Sequence, residues 1–220
     1  MKKQITLLVA VATLACCSIS QASILDASWV SQNTANLTCT YLYPFANNTL
    51  DMDGVQYAGT AQMVATINTD TPADPTLTLS SAVNNDTAFA WNGYQVNVVM
   101  SVPFTIGPSV VPPVAAPTVG NPPVNDWTVA GVTPAAFQGS GPWAGFYEAT
   151  VFYSAGTLVG IGGELDFTYQ VNFASSTHYI LTQEMIPSMV PVPEPSTLAV
   201  AAMGGLALAL RLRRSSRKAA

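Results

Sequence analysis

Leu165-Asp166-Phe167-Thr168-Tyr169-Gln170-Val171-Asn172-Phe173 decides the fold class. Large apolar side chains stand at every second position, with Asp, Thr, Gln and Asn between them. A period of two puts Leu165, Phe167, Tyr169, Val171 and Phe173 on one face of a strand and the polar residues on the other. Working outward, Tyr147, Ala149, Val151 and Tyr153 alternate with Phe146, Glu148, Thr150 and Phe152, a pattern that suits cover on both faces. Tyr94, Val96, Val98, Met100, Val102 and Phe104 read as one long face, with Gln95, Asn97 and Ser101 opposite. Asn92-Gly93 ahead of them is a hairpin-turn pattern, with Phe89 and Trp91 on the preceding arm. Leu37, Cys39, Tyr41 and Tyr43 share a face, which makes Cys39 a buried, inert thiol. Residues 56–68, 76–80 and 178–184 supply further strands.

Between these runs the punctuation is Gly, Pro, Asn and Asp. Residues 47–54 predict a turn, 69–75 a loop, 84–86 a break and 138–142 a turn. Gly160-Ile161-Gly162-Gly163 lacks the dinucleotide-binding spacing and predicts a bend. Residues 107–123 are Pro-rich, and because proline brings no N–H to a sheet interior they predict a long loop within one domain. Helical periodicity is missing from residues 23–187. About eight short strands predict an all-β chain, a single antiparallel β-sandwich or jelly-roll-like domain.

The ends differ from this middle. Of 220 residues, seven are Lys or Arg, and all seven sit terminally: Lys2, Lys3, Arg211, Arg213, Arg214, Arg217 and Lys218. The twelve acids all lie between them. Carboxylate–Lys and carboxylate–Arg bridges are therefore impossible inside the middle, whose stability must come from apolar burial and backbone hydrogen bonds. A middle without basic residues also offers nothing to neutralise phosphates, which excludes nucleic acid as a partner. Cys16 and Cys17 lie near the N-terminus and Cys39 stands alone after them, so no disulfide framework exists.

Lys2 and Lys3 precede an apolar run over residues 5–15, and Ser20-Gln21-Ala22 ends it with small residues. This is a secretory leader, residues 1–22, cut between Ala22 and Ser23. Lipidation at Cys16 or Cys17 is the weaker reading, because the residues before them match a lipobox only in part. At the other end Leu198 opens an uncharged run to Leu210. With its neighbours, about residues 196–212, it reaches the ~17 residues needed to span a bilayer as a helix. The basic stop that follows, Arg211, Arg213, Arg214, Arg217 and Lys218, belongs in the cytoplasm by the positive-inside rule. Ala201, Gly205 and Ala209 form a small-residue stripe, as is common in so short a segment.

Before that run stands Val192-Pro193-Glu194-Pro195-Ser196. Followed by an apolar span and an Arg-rich end, and set behind a secretory leader, it resembles the PEP-CTERM sorting signal of bacterial surface proteins. The resemblance covers residues 190–220 within a tail assigned to 188–220, leaving residues 23–187 as the exported domain. It implies recognition by an exosortase, a membrane-embedded enzyme, with the chain as its substrate. The tail's other label, an ice-binding-protein C-terminal domain, comes from proteins that carry it and implies no ice binding here. Pro193 and Pro195 hold the backbone extended, a form that a protease binds.

Signals for chemistry are thin. Asp51 and Asp53 before Gly54 resemble part of a calcium loop, but Thr49 and Thr60 stand where acids are needed, so an Asx-rich turn is the better reading. His178 is the single His, too little for zinc, and no Gly-x-Ser-x-Gly elbow accompanies it for a triad. Glu148, Glu164 and Asp166 are candidates for a glycosidase carboxylate pair if the fold brings them together. Trp29, Trp91, Trp127 and Trp143 are candidates for stacking on sugars, with core packing the commoner use. The expected protein is a non-enzymatic, cofactor-free surface or extracellular-matrix protein. It crosses the inner membrane with the secretion machinery and an exosortase, and has exopolysaccharide as a possible partner. A carbohydrate-binding module, or a polysaccharide-active glycosidase or lyase, are the alternatives.

Overall fold

Thirteen strands, and no helix, account for the regular structure of the described residues. The computed structural model describes residues 22–42, 48–73, 75–108, 110–173 and 175–191. In chain order the strands are β1 (Ile24–Ser31), β2 (Leu37–Leu42), β3 (Thr49–Gln56), β4 (Ala61–Thr69), β5 (Thr76–Asn85), β6 (Phe89–Met100), β7 (Phe104–Ile106), β8 (Val111–Ala116), β9 (Thr128–Val132), β10 (Ala136–Phe137), β11 (Tyr147–Val159), β12 (Glu164–Phe173) and β13 (His178–Pro191). The leader before Ala22, the motif residues 192–196, the apolar run and the basic stop lie outside the described residues.

The strands form two sheets. The seven-stranded sheet runs β1-β4-β13-β6-β11, with β10 and β9 sharing the far side of β11. The six-stranded sheet runs β2-β3-β5-β12, with β7 and β8 sharing the far side of β12. Period-two patterning explains why they face each other. β12 buries Leu165, Phe167, Tyr169, Val171 and Phe173, β6 buries Tyr94, Val96, Val98 and Met100, and one apolar cluster contains both sets. The Tyr94 and Phe167 rings meet across the layers at 5.5 Å. Two reciprocal hydrogen bonds tie the layers where tyrosines must satisfy their hydroxyls. Tyr94 of β6 donates to Gln56 Oε1 of β3 at 2.6 Å, and Tyr169 of β12 donates to Gln183 Oε1 of β13 at 2.6 Å.

Several expectations change. The sheets are not wholly antiparallel, because β3 and β5 pair in parallel. The chain leaves β3 for β4 in the opposite sheet and returns, so β5 re-enters alongside β3 in the same direction. Residues 49–56 are a strand, not part of a turn: Leu50, Met52, Gly54 and Gln56 are buried while Asp51 and Asp53 point outward. Asn92-Gly93 does not turn a hairpin. β6 runs straight through it, and the ladder to β13 passes from Ser188↔Gly93 to Met189↔Trp91, leaving Asn92 as a bulged residue. A bulge takes up the extra residue because long strands flank β6 on both sides. The face read from Tyr94 to Phe104 is cut at Met100: after Ser101, Val102 and Pro103 the chain crosses to the other sheet, where Phe104 opens β7. Part of the Pro-rich segment is also a strand, β8, lying at a sheet edge, where missing N–H groups are tolerated.

Gly163 marks the tightest approach to neighbouring backbone. A Cβ there would lie 2.5 Å from the Pro117 carbonyl oxygen and 2.6 Å from that of Ala116. Only glycine lets β12 start this close to the end of β8.

Candidate functional site

Of the acids proposed for catalysis, Glu148 does not meet the other two. Glu148 lies on the outer face of the seven-stranded sheet, whereas Glu164 and Asp166 lie on the outer face of the six-stranded sheet. The core separates them. Alternation in β11 and β12 placed each one outward, but which sheet each strand joins is not a local property. On the six-stranded sheet, Asp53 of β3 and Asp166 of β12 flank the same β5 residue, Ala82. That spacing is about 10 Å between backbones. Partial burial, then Glu164 and Asp53, push the Asp166 carboxyl up to about 6. Asp51 and Asp53 sit in extended β3, so the curled loop a calcium site needs is not formed there. Among the described residues no three His, Cys, Asp or Glu side chains come together as a metal-binding group.

The outer face of the seven-stranded sheet carries a hydrogen-bonded cluster that the sequence reading did not assemble. Glu184 of β13 accepts from Gln62 Nε2 of β4 at 2.9 Å and from Asn97 Nδ2 of β6 at 2.8 Å. Asn97 Oδ1 in turn accepts from Gln95 Nε2 at 2.8 Å and from Thr150 Oγ1 of β11 at 3.0 Å. Amides here do for a carboxylate what Lys or Arg would do in a chain that had them. Glu148 lies near this cluster, and burial, then the Glu184 charge, raise its carboxyl above the usual range. Gln95 and Asn97 were legible as a polar face. Their partners depend on the strand order β4-β13-β6-β11.

The remaining candidates fall into structural roles. Trp29, Trp91 and Trp127 are buried, and Trp127 donates from Nε1 to the Thr157 carbonyl at 2.9 Å. They cannot stack on a sugar. Trp143 is half-buried, in the loop between β10 and β11, with exposed Phe137 and Phe146 beside it. The loop closes on itself through Gln138 N to Phe146 O and Phe146 N to Trp143 O, and Phe137 stacks edge-on with Tyr147 at 5.4 Å. His178 is exposed at the start of β13, its Nδ1 2.7 Å from Asn68 Oδ1. Cys39 is half-buried, and burial raises its thiol, which lowers its reactivity at neutral pH.

The strand that leads to the C-terminal tail has a definite place. β13 is interior, flanked by β4 and β6, and its last described residue, Pro191, is in register with Phe89. The strand thus runs past residue 187, the domain end read from the sequence. From residue 191 the chain matches the family model described as the PEP-CTERM protein-sorting motif, over residues 191–214. The chain carries the PEP-CTERM sorting motif. The match takes in Val192, Pro193, Glu194, Pro195 and Ser196, the apolar run, and Arg211, Arg213 and Arg214, while Arg217 and Lys218 lie beyond it. The motif implies exosortase-dependent sorting to the cell surface. No curated protein and no solved structure matches the chain.

At the opposite end of the chain, Ser23 N donates to Asp70 Oδ1 at 2.8 Å. Cleavage after Ala22 would turn that amide into an α-ammonium facing a carboxylate.

Proposed function

We propose that the chain is a non-enzymatic protein of the cell surface or extracellular matrix, exported behind a cleaved leader and released or transferred by an exosortase acting on its tail. The observation that carries this reading is the PEP-CTERM match, which starts where β13 ends. The apolar run after it acts as a transient membrane helix, and the basic stop holds its far end in the cytoplasm. Intact-mass measurement of the exported protein from exosortase-bearing cells tests this. The expected mature form begins at Ser23 and lacks the basic stop. A form that begins at Ser23 and still ends at Ala220 overturns the processing step.

The second reading is a carbohydrate-binding module, favoured by the aromatic group Phe137, Trp143 and Phe146. These residues sit toward the rim opposite Pro191 and would face away from the membrane while the tail is held. Binding on a glycan array that vanishes in Trp143→Ala supports it, and unchanged binding removes it. The possible partner in either reading is exopolysaccharide. A glycosidase built on Glu148 and Glu164 loses its basis, since they occupy opposite outer faces.

A further inference from the structure

The antiparallel ladders put the two chain ends of the domain at opposite rims. Ile24 pairs with Thr69 at one rim, while β13 leaves at the other, beside the start of β6 and the end of β11. At this exit rim five large apolar side chains are exposed: Phe89, Val119, Leu158, Ile161 and Met189. Phe89 is in register with Pro191, Met189 with Trp91, and Val119 packs at Gly162, next to Ile161. An open apolar hollow of about 270 Å³, walled by Ala90, Pro117, Leu158, Val190 and Pro191 among others, lies at this rim. No Lys or Arg is present at this rim, or anywhere between Lys3 and Arg211.

Only residues 192–197 separate Pro191 from Leu198, where the uncharged run begins. Seven residue steps from Pro191 to Leu198 reach at most about 25 Å, so the rim is tethered within that distance of the hydrocarbon. We propose that this exit rim rests on the membrane before processing, its five apolar side chains buried in the lipid interface. The inference rests on the membrane role of the tail. The apolar side chains favour the headgroup–acyl boundary. With no Lys or Arg to attract anionic headgroups, the contact is apolar and insensitive to salt. Asp86 and Asp126, in the loops of the same rim, make anionic lipid unfavourable. The contact would end when the tail is cut.

The test uses the full chain in phosphatidylcholine vesicles, with Cys16→Ala, Cys17→Ala and Cys39→Ser as background. A fluorophore is placed on Val119→Cys or Ile161→Cys at the exit rim, or on Ser101→Cys at the far rim, and doxyl lipid labelled near the headgroup is the quencher. We expect at least a two-fold loss of fluorescence at 119 and 161, little at 101, and no gain on adding salt or replacing half of the lipid with phosphatidylglycerol. Absent quenching at 119 and 161, with the chain still retained in the membrane through alkaline carbonate, overturns the rim contact and leaves the tail reading intact. Release by carbonate overturns both. Equal quenching at all three positions, or quenching that grows with anionic lipid, also overturns the proposal.

Discussion

Trp91 and Trp127 are buried alike, yet only Trp127 has a partner for its indole N–H; Trp91 Nε1 has none among the described residues. Replacing either by Phe removes similar volume. Trp127→Phe also forfeits a hydrogen bond and should cost about 1 kcal/mol more in denaturant unfolding; the reverse order would contradict the assignment. Asp166 makes a pH-dependent contribution. Its carboxyl in the folded chain, at about 6, is above its ordinary 3.8, so the folded state holds the proton more tightly than the unfolded one. Stability from this group is therefore greatest near pH 4 and falls as pH rises through about 6. Asp166→Asn should flatten that slope and stabilise the protein at pH 7 by roughly 1 kcal/mol, the shift being discounted for an exposed side chain. The midpoint of thermal unfolding from pH 4 to 8 checks this. Asp70 acts through its hydrogen bond from Ser23 N. Asp70→Asn should weaken a mature chain that starts at Ser23 by up to about 1 kcal/mol and leave the uncleaved precursor nearly unchanged, as unfolding of the two forms will show. The outward direction of Asp166 was readable from its alternation, whereas its raised carboxyl was not, because the partial burial that chiefly raises it comes from the folded sheet, and Asp53, which adds to the Glu164 charge, comes from a strand over a hundred residues earlier.

Among strands, β6 and β13 are paired along both edges, and β8, β9 and β10 are paired on one side by short ladders. Hydrogen exchange should be slowest at Val96, Val98, Leu181 and Met185 and fastest in β8 and β10; β13 amides that exchange as fast as those of β8 would contradict the interior placement. Gly163→Ala should destabilise by about 1–3 kcal/mol, since two carbonyl oxygens occupy the space of its Cβ. β12, with strict alternation, was legible because its pattern is set by one buried face, whereas β11 was legible only to Tyr153: residues 154–157, which read as a turn, continue the strand to Val159. β3 was not, since Asp51, Asp53 and Gly54 carry turn chemistry and only pairing to β2 and β5 draws them into a sheet. β8 was hidden by Pro112 and Pro113, which forbid an interior strand but not an edge one. At Asn92-Gly93 local chemistry allowed a turn or a bulge, and the two long neighbours of β6 decided for the bulge.

The whole domain holds every acid except Glu194 and no Lys or Arg. Like charges on the outer faces repel, and salt screens that repulsion while having no Lys or Arg ion pairs to weaken. Unfolding of the mature chain should therefore move to higher temperature as salt rises to about 0.5 M; a fall would mean that attractive pairs, such as one at Ser23, dominate. The composition made this charge asymmetry legible, and the sorting motif was legible because it is a contiguous string. The exit rim was not, since Phe89, Val119, Leu158, Ile161 and Met189 become neighbours only through the ladders.

β13 passes into the sorting motif without a spacer, and this has a mechanical meaning. A pull on the tail acts along the axis of β13, while its hydrogen bonds to β4 and β6 lie across that axis. The load is shear, shared by two ladders at once, instead of a peel that opens them one rung at a time. Tension on the tail would thus be transmitted through the interior strand to the whole body, and two ladders would have to shear together before the domain unravels.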